Sequence, residues 1–226
     1  MTMPSTDWLK ECLAYEVVCD APHWLGEPSP VNLQSFLFGA EERAVLSGSG
    51  IERWKIFGPL CEPSFDAPIL QETGHPTLTI RWARALELIH FSMFSALADL
   101  RQRIEQWYCE HEPDTTSYSG VIRPISVENL FEEMTARPGM FLGTNSGVSL
   151  QQYLLGATVG GDWLGLPQVQ RFTEVRDKIE QRSVEAYGSH FAAYRVYRDN
   201  QGAAELLIKW AGIQPVSVPA LASGVG

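Results

Sequence analysis

The sequence predicts a mainly α-helical protein made of two tandem helical modules. Three observations support this class: apolar residues recur at helical spacing, one segment occurs twice, and 226 residues fit two modules of about 110 residues each. An apolar content of 45% is enough for such modules to build real cores.

The repeated segment covers residues 25–40, LGEPSPVNLQSFLFGA, and residues 142–157, LGTNSGVSLQQYLLGA. At a constant offset of 117 residues, nine of the sixteen aligned positions are identical. Average residue usage would give about one identity by chance. We therefore expect the two segments to share one local structure.

Each copy carries the signals of a capped helix. Ser29 and Ser146 are suitable N-cap residues, and the apolar residues of 150–157 follow the i, i+3, i+4, i+7 pattern of one helical face. Gly39 and Gly156 lie near the expected helix ends, where glycine serves either as a C-terminal stop or as a close-packing contact.

A turn and a short apolar run precede the helix of the second copy. Pro138 and Gly139 are turn formers, because proline presets φ and glycine tolerates positive φ. The run that contains Phe141 is expected to pack into a core, and Gly143 then lets the chain change direction.

The rest of the chain is predicted to be mostly helical. Residues 77–109 indicate one long amphipathic helix or two helices end to end, and residues 172–210 indicate two or three more. A short helix over residues 129–134 precedes the second copy of the repeat. The turn-rich insert at 47–76 has no counterpart, and a short strand or hairpin at Trp54–Phe57 is an alternative there.

Composition places the module boundaries. The first module covers residues 1–110, a polar linker residues 111–124, and the second module residues 125–213, followed by a flexible tail at 214–226. We call the two modules the first half and the second half.

Charge is divided unevenly along the chain. Residues 1–120 carry 17 acidic and 8 basic residues, a net charge of −9, whereas residues 121–226 carry 10 and 9, a net charge of −1. An acidic surface disfavours nucleic acid and suits a basic protein partner. The sequence begins without a secretory signal pattern and contains no apolar run long enough for a membrane span, so the expected location is cytoplasmic, with the four cysteines reduced.

No catalytic or cofactor motif emerges from the sequence, so we expect neither an enzyme nor a bound cofactor. The run at 109–112, Cys-Glu-His-Glu, has metal-ligand residue types, but consecutive residues cannot readily surround one ion, so no metal is expected. His75 is expected in a loop, and His90 and His190 on helices as buried, satisfied side chains. Phosphate-binding and nucleophile-elbow patterns are missing from the sequence.

The segment RPGMFLG, residues 137–143, followed by a serine-capped helix with an LxxYLxG pattern, resembles a family of small bacterial proteins. That family combines an N-terminal RPxM(Y/F)LG motif with a late helix that ends in an aromatic residue, and it is associated with immunity to polymorphic or contact-delivered toxins. The matching motif residues here are Arg137, Pro138, Gly139, Phe141, Gly143 and Gly156. The first copy, APHWLG at 21–26, lacks the arginine, so the chain resembles an internal duplication of the family motif in which one copy has diverged.

The resemblance implies a non-catalytic immunity protein that binds and neutralises a cognate protein toxin. The acidic first half and its insert are the expected contact surface, toward a toxin with a basic face. Trp54 is the expected aromatic anchor. The candidate contact residues are Glu41, Glu42, Glu52, Trp54, Glu62, Asp66 and Glu72.

Two other function classes stay open at this stage. The first is a structural or adaptor protein of a phage or secretion apparatus, which would assemble with itself. The second is a small-molecule enzyme with a site between the modules, which His190, Arg195 and a carboxylate of shifted pKa would form together.

Overall fold

A computed structural model describes residues 7–74, 82–112, 127–142, 144, 146–198, 202–210 and 212 of the chain. The described residues are predominantly helical and contain no strand, so the all-α prediction is confirmed. In the first half the helices are α1 (Asp7–Lys10), α2 (Leu13–Cys19), α3 (Ala21–Leu25), α4 (Pro30–Leu46), α5 (Arg53–Phe57), a 3₁₀ turn (Gly58–Cys61), α6 (Pro63–Glu72), α7 (Trp82–Ile89) and α8 (Met93–Glu110).

The second half is also built from helical segments. They are α9 (Val127–Ala136), α10 (Pro138–Leu142), α11 (Gly147–Leu155), a π-helix (Gly156–Gly160), α12 (Gly161–Trp163), α13 (Gln170–Tyr187), α14 (Ala192–Val196) and α15 (Ala203–Trp210). Because α11, the π-helix and α12 are contiguous, they form one continuous helical rod.

Buried side chains form two clusters, the first built mainly from the first half together with Leu166, and the second from the second half. The first cluster includes Leu13 and Leu100, and the second includes Tyr153 and Ile179. Phe38, on α4, packs against both clusters. The helix that carries the first copy of the repeat therefore joins the two cores.

The repeated segments have the same local structure. Helices α3 and α10 begin and end at positions that differ by 117 residues. Ser29 accepts a hydrogen bond from the backbone N–H of Asn32, and Ser146 accepts one from Ser149, so both expected N-caps are present. Each segment is a short helix, a turn and a capped helix.

The two repeat helices contact each other through reciprocal hydrogen bonds. Ser35 Oγ donates to the carbonyl of Leu142 at 2.6 Å, and Gln152 Nε2 donates to the carbonyl of Leu25 at 2.8 Å. At the offset of 117 residues the donor Ser35 corresponds to the donor Gln152, and the acceptor Leu142 corresponds to the acceptor Leu25. The same surface of each copy therefore faces the other, as in a two-fold symmetric interface.

Glycine allows this close approach. A Cβ atom on Gly39 would lie closer than 3.0 Å to the carbonyl oxygen of Tyr153, and one on Gly156 equally close to that of Phe36. Both glycines lie inside helical segments that continue beyond them. Of the two roles expected for these glycines, close packing applies and the C-terminal stop does not.

The outer helices also pack in a corresponding order. Helix α8 contacts α2, and α15 contacts α9; likewise α7 contacts α4, and α14 contacts α11. The late helices that carry Trp107 and Trp210 thus occupy comparable places in the two halves.

Arg43, near the end of α4, ties the two halves together. Its guanidinium donates to the carbonyls of Ala157, Thr158, Leu166 and Pro167 and pairs with the Asp162 carboxylate at 2.7 Å. The side chain is only 3% exposed. Its donors bind carbonyls of the π-helix and of the loop that follows it, and among these the Thr158 carbonyl also accepts the backbone N–H of Gly161.

Two local predictions need correction or refinement. Residues 53–57 form helix α5 instead of a strand, because a lone strand has no neighbour to satisfy its backbone groups. The long apolar pattern of 77–109 divides into α7 and α8, and Ser92 caps the second of them. Most of the predicted linker, the tail at 214–226 and His75 lie outside the described residues.

Candidate functional site

The carboxylates predicted to contact a partner are mostly engaged within the chain. Glu41 pairs with Arg53 at 3.2 Å, Glu52 with Lys55 at 3.3 Å, and Glu72 with Arg103 at 2.9 Å. Glu42, Glu62 and Asp66 are partly buried. The acidic surface of the first half is therefore partly neutralised by its own basic residues.

Trp54 does not fit the role of a surface anchor, because it is only 4% exposed. Its ring makes an edge contact with Trp8, with the ring centroids 5.1 Å apart, and the ammonium group of Lys55 lies 5.5 Å from its centroid. Its neighbours Ile56 and Phe57 are also buried, so α5 contributes to the core of the first half.

The motif residues of the second copy are structural in their contacts. Arg137 is exposed and pairs with Glu133 one helical turn earlier, which braces the junction between α9 and α10. Pro138 and Gly139 lie in the first turn of α10, and Phe141 is buried. Gly143 lies outside the described residues, and Gly156 begins the π-helix.

The metal-ligand residue types at 109–112 do not surround a common point. Cys109 and Glu110 end α8, and the His111 ring stacks on Trp107 with centroids 4.8 Å apart. Within the part of the chain that the structure describes, no group of three His, Cys, Asp or Glu side chains could hold a metal ion. The helices in that same part include none that is both long and apolar enough to cross a membrane.

The most exposed apolar surface lies where α7 meets α8. Phe91 is fully exposed, and Phe94 and Leu88 are 66% and 58% exposed. We call these three residues the aromatic corner. Such a cluster of large apolar side chains in water is typical of a binding surface.

Sequence periodicity missed the aromatic corner because it treated residues 77–109 as a continuous pattern. Helix α7 ends at Ile89, and Ser92 accepts a hydrogen bond from the Ser95 N–H to begin α8. That interruption places Phe91 and Phe94 outside the buried face of either helix. The signal available was the sequence HFSMFS at 90–95, in which a serine N-cap separates two phenylalanines.

A network of paired polar side chains begins at His90, next to the aromatic corner. His90 Nε2 lies 2.9 Å from Asp99 Oδ2, which also accepts from Arg103 at 2.9 Å, and Arg103 pairs in turn with Glu72. His90 is therefore paired, but it is only partly buried and lies just beyond the end of α7, whereas the sequence predicts a buried histidine on a helix. Glu72, the exposed carboxylate among the predicted contacts, is linked through this network to the corner.

An open groove of about 670 Å³ extends from the corner along the junction of the two halves. Phe94 lies at its first-half side, and both N-cap serines, Ser29 and Ser146, line it. Its charged side chains include Arg84, which pairs with Glu87 at 2.7 Å, and Arg198, which pairs with Glu27. The groove is thus mixed in polarity and built from both copies of the repeat.

The residues considered for catalysis do not converge. His190 Nδ1 lies 3.8 Å from Glu180, and burial raises the pKa of that carboxyl above its ordinary value despite the nearby Arg176. Arg195 instead lies 3.4 Å from Glu27. His190 is exposed, contrary to the expectation of a buried histidine, and it shares no carboxylate with Arg195.

The buried thiols and phenols are likewise poorly suited to reaction. Burial raises the pKa of Cys12 and of Cys61 to about 11, which keeps both thiols protonated and weakly nucleophilic. Burial also raises the pKa of the Tyr153 and Tyr194 hydroxyls well above the ordinary value. These groups serve packing in the present arrangement.

Comparison with protein-family models, with curated protein sequences and with solved structures found no match to this chain.

Proposed function

We propose that this chain is an immunity-type protein that binds a cognate bacterial protein toxin and neutralises it without catalysis. The resemblance of Arg137–Gly156 to the immunity-associated motif supports the biological role. The exposed aromatic corner supports protein binding, and it is the observation that carries the proposal.

The corner supplies the kind of side chain that dominates binding energy. Burying an exposed phenylalanine side chain in an interface contributes about 1.5–3 kcal/mol, before the costs of association. Phe91, between α7 and α8, and Phe94, in the first turn of α8, therefore provide two such exposed anchors. Surface carboxylates that are already paired within the chain provide much less, because their pairs must be broken or desolvated.

The groove extends the contact to the size that a stable complex needs. A standard interface covers about 800 Å² on each partner, which is more than three side chains can supply. Because the groove begins at Phe94 and runs along the junction of both halves, a partner seated on the corner also reaches residues of the second copy.

Charge has a separate role in this proposal. The chain carries a net charge of −10, and such a field accelerates the approach of a basic partner over distances of about 10 Å in physiological salt. Steering by the overall charge sets the association rate, whereas the apolar corner sets the lifetime of the complex.

Co-expression with the toxic domain encoded by a neighbouring gene, in a sensitive host, tests the proposal. The double substitution Phe91→Ser with Phe94→Ser is expected to abolish protection while leaving the thermal unfolding midpoint unchanged, because both side chains are exposed. The matched control is Tyr187→Ser with Leu206→Ser, which removes two exposed apolar side chains from the second half.

The outcomes separate the interface from the function. Full protection by the Phe91 and Phe94 double variant would exclude the corner as the contact surface. Failure of the unmodified protein to protect against any adjacent gene product would exclude the immunity function. Raising the salt concentration is expected to slow association more than it speeds dissociation, measured by surface plasmon resonance.

A further inference from the structure

A second, smaller cavity of about 300 Å³ lies at the junction of the two halves. Its apolar wall includes Trp24 from the first half and Leu155, Val159 and Phe191 from the second. Its polar residues include Glu27 and Arg195. We call this cavity the junction pocket; its size is at the lower end of the range for small-molecule sites.

The π-helix shapes one wall of the junction pocket. Val159 lies within Gly156–Gly160 and is 43% exposed, although the residues on either side of it are buried. A π-helix contains extra backbone per turn and frequently occurs at functional sites. Here it directs an apolar side chain into a cavity instead of into the core.

Comparison of the two copies shows that the pocket is not required by the packing of the repeat. At the offset of 117 residues, Leu155 corresponds to Phe38 and Trp24 to Phe141. Phe38 packs against both cores and Phe141 is buried. The two positions that correspond to Trp24 and Leu155 in the other copy therefore hold packed phenylalanine side chains. Where the smaller Leu155 stands instead of a phenylalanine, the structure has an open pocket.

The Glu27 carboxylate is shared by two arginines, of which Arg195 lines the pocket and Arg198 lies outside its lining. Arg195 Nε lies 3.4 Å from Glu27, and Arg198 pairs with the other oxygen of the same carboxylate. Two guanidinium groups and one carboxylate leave a local charge of about +1 on a chain whose net charge is −10. If a ligand anion binds Arg195, Glu27 keeps Arg198 as its partner.

We infer that the junction pocket binds a small organic monocarboxylate with an aromatic or branched apolar body. The apolar wall contacts the body of the ligand, with the Trp24 and Phe191 rings suited to an aromatic group. The Arg195 guanidinium binds the carboxylate, for which its planar donor geometry is well matched. Glu27 lines both this pocket and the groove, but this inference is independent of the proposed toxin binding because ligand binding here needs no protein partner and the aromatic corner does not line the pocket.

Isothermal titration calorimetry with 3-phenylpropionate and its neutral amide tests the inference on the full-length protein. The carboxylate is expected to bind at least tenfold more tightly than the amide. Arg195→Gln is expected to remove that preference, whereas Arg101→Gln, an exposed arginine paired with Glu105 on α8, should preserve it.

Filling the pocket provides the second arm of the experiment. Leu155→Phe reproduces the residue type of the copy-related position and should abolish binding of both probes. Val159→Trp fills the pocket from an exposed position, so it gives the same result if the first variant fails to fold. Absence of carboxylate binding to the unmodified protein, or binding that survives Val159→Trp, would overturn the inference.

Discussion

Replacing Arg43 tests how the two halves are held together. Arg43→Met keeps a flexible side chain of similar length but removes every guanidinium donor. The carbonyls of Ala157, Leu166 and Pro167 and the Asp162 carboxylate then lose the guanidinium, whereas the Thr158 carbonyl keeps the backbone N–H of Gly161. Asp162 is 59% exposed and becomes hydrated, so the cost arises mainly from the carbonyls.

The magnitude follows from the burial of those acceptors. A hydrogen bond to a charged donor contributes about 1.5–3 kcal/mol, and an acceptor left buried without a partner costs about 1–3 kcal/mol. Because bonds to one guanidinium are not additive, we expect a loss of about 3–5 kcal/mol in the free energy of unfolding. That is a large fraction of the roughly 5–15 kcal/mol that stabilises a typical protein.

Urea unfolding followed by circular dichroism measures this loss. The matched control is Arg101→Met on α8, where an exposed pair with Glu105 is lost at a cost of about 0.2–1 kcal/mol. A change below 1 kcal/mol for Arg43→Met, at an unchanged denaturant slope, would refute the claim that this guanidinium joins the halves.

Two further predictions concern the core and the pH dependence. Leu37→Ala and Leu154→Ala, at matched and fully buried positions of the two copies, should each lower the free energy of unfolding by about 2–5 kcal/mol in thermal melts; near-neutral values would place the wrong helical face inward. Glu180→Gln should stabilise the fold increasingly as the pH rises above the unfolded-state pKa of glutamate, because burial raises the folded-state pKa and folding then opposes ionisation. Urea midpoints from pH 4 to pH 8 measure this effect, and the exposed Glu185→Gln serves as the control; an advantage that is constant with pH would show that ionisation is not its cause.

Much of the fold could be predicted from local patterns. Helical periodicity predicted the helices of 77–109 and 172–210, and the serines at 29 and 146 marked the beginnings of two more, whereas α5, α6 and α10 lie where turns, an apolar run or a strand were expected. The offset of 117 residues identified two segments that have the same local structure. These signals are short-range, since each depends on residues within a few turns of one another.

The candidate site was less accessible to the same reasoning. Trp54 stands in a turn-rich sequence that predicts a partner-binding anchor, but in the fold it is buried and contacts Trp8, which lies far away in the chain. Phe91 and Phe94 lie at the interruption between α7 and α8, and periodicity alone does not locate that interruption. A one-residue change in where a helix begins decides which of these rings faces water.

The sequence by itself determined the helical class, the repeated segments and the matched glycines near the ends of the repeats. Only the tertiary structure decided that Gly39 and Gly156 meet the opposite copy, and that Arg43 reaches carbonyls 114–124 residues away. Capping and periodicity act within one helix, so they can be seen in a short stretch of sequence. The pairing of distant helices depends on which surfaces fit together at van der Waals distance, and that fit exists only once the chain has folded.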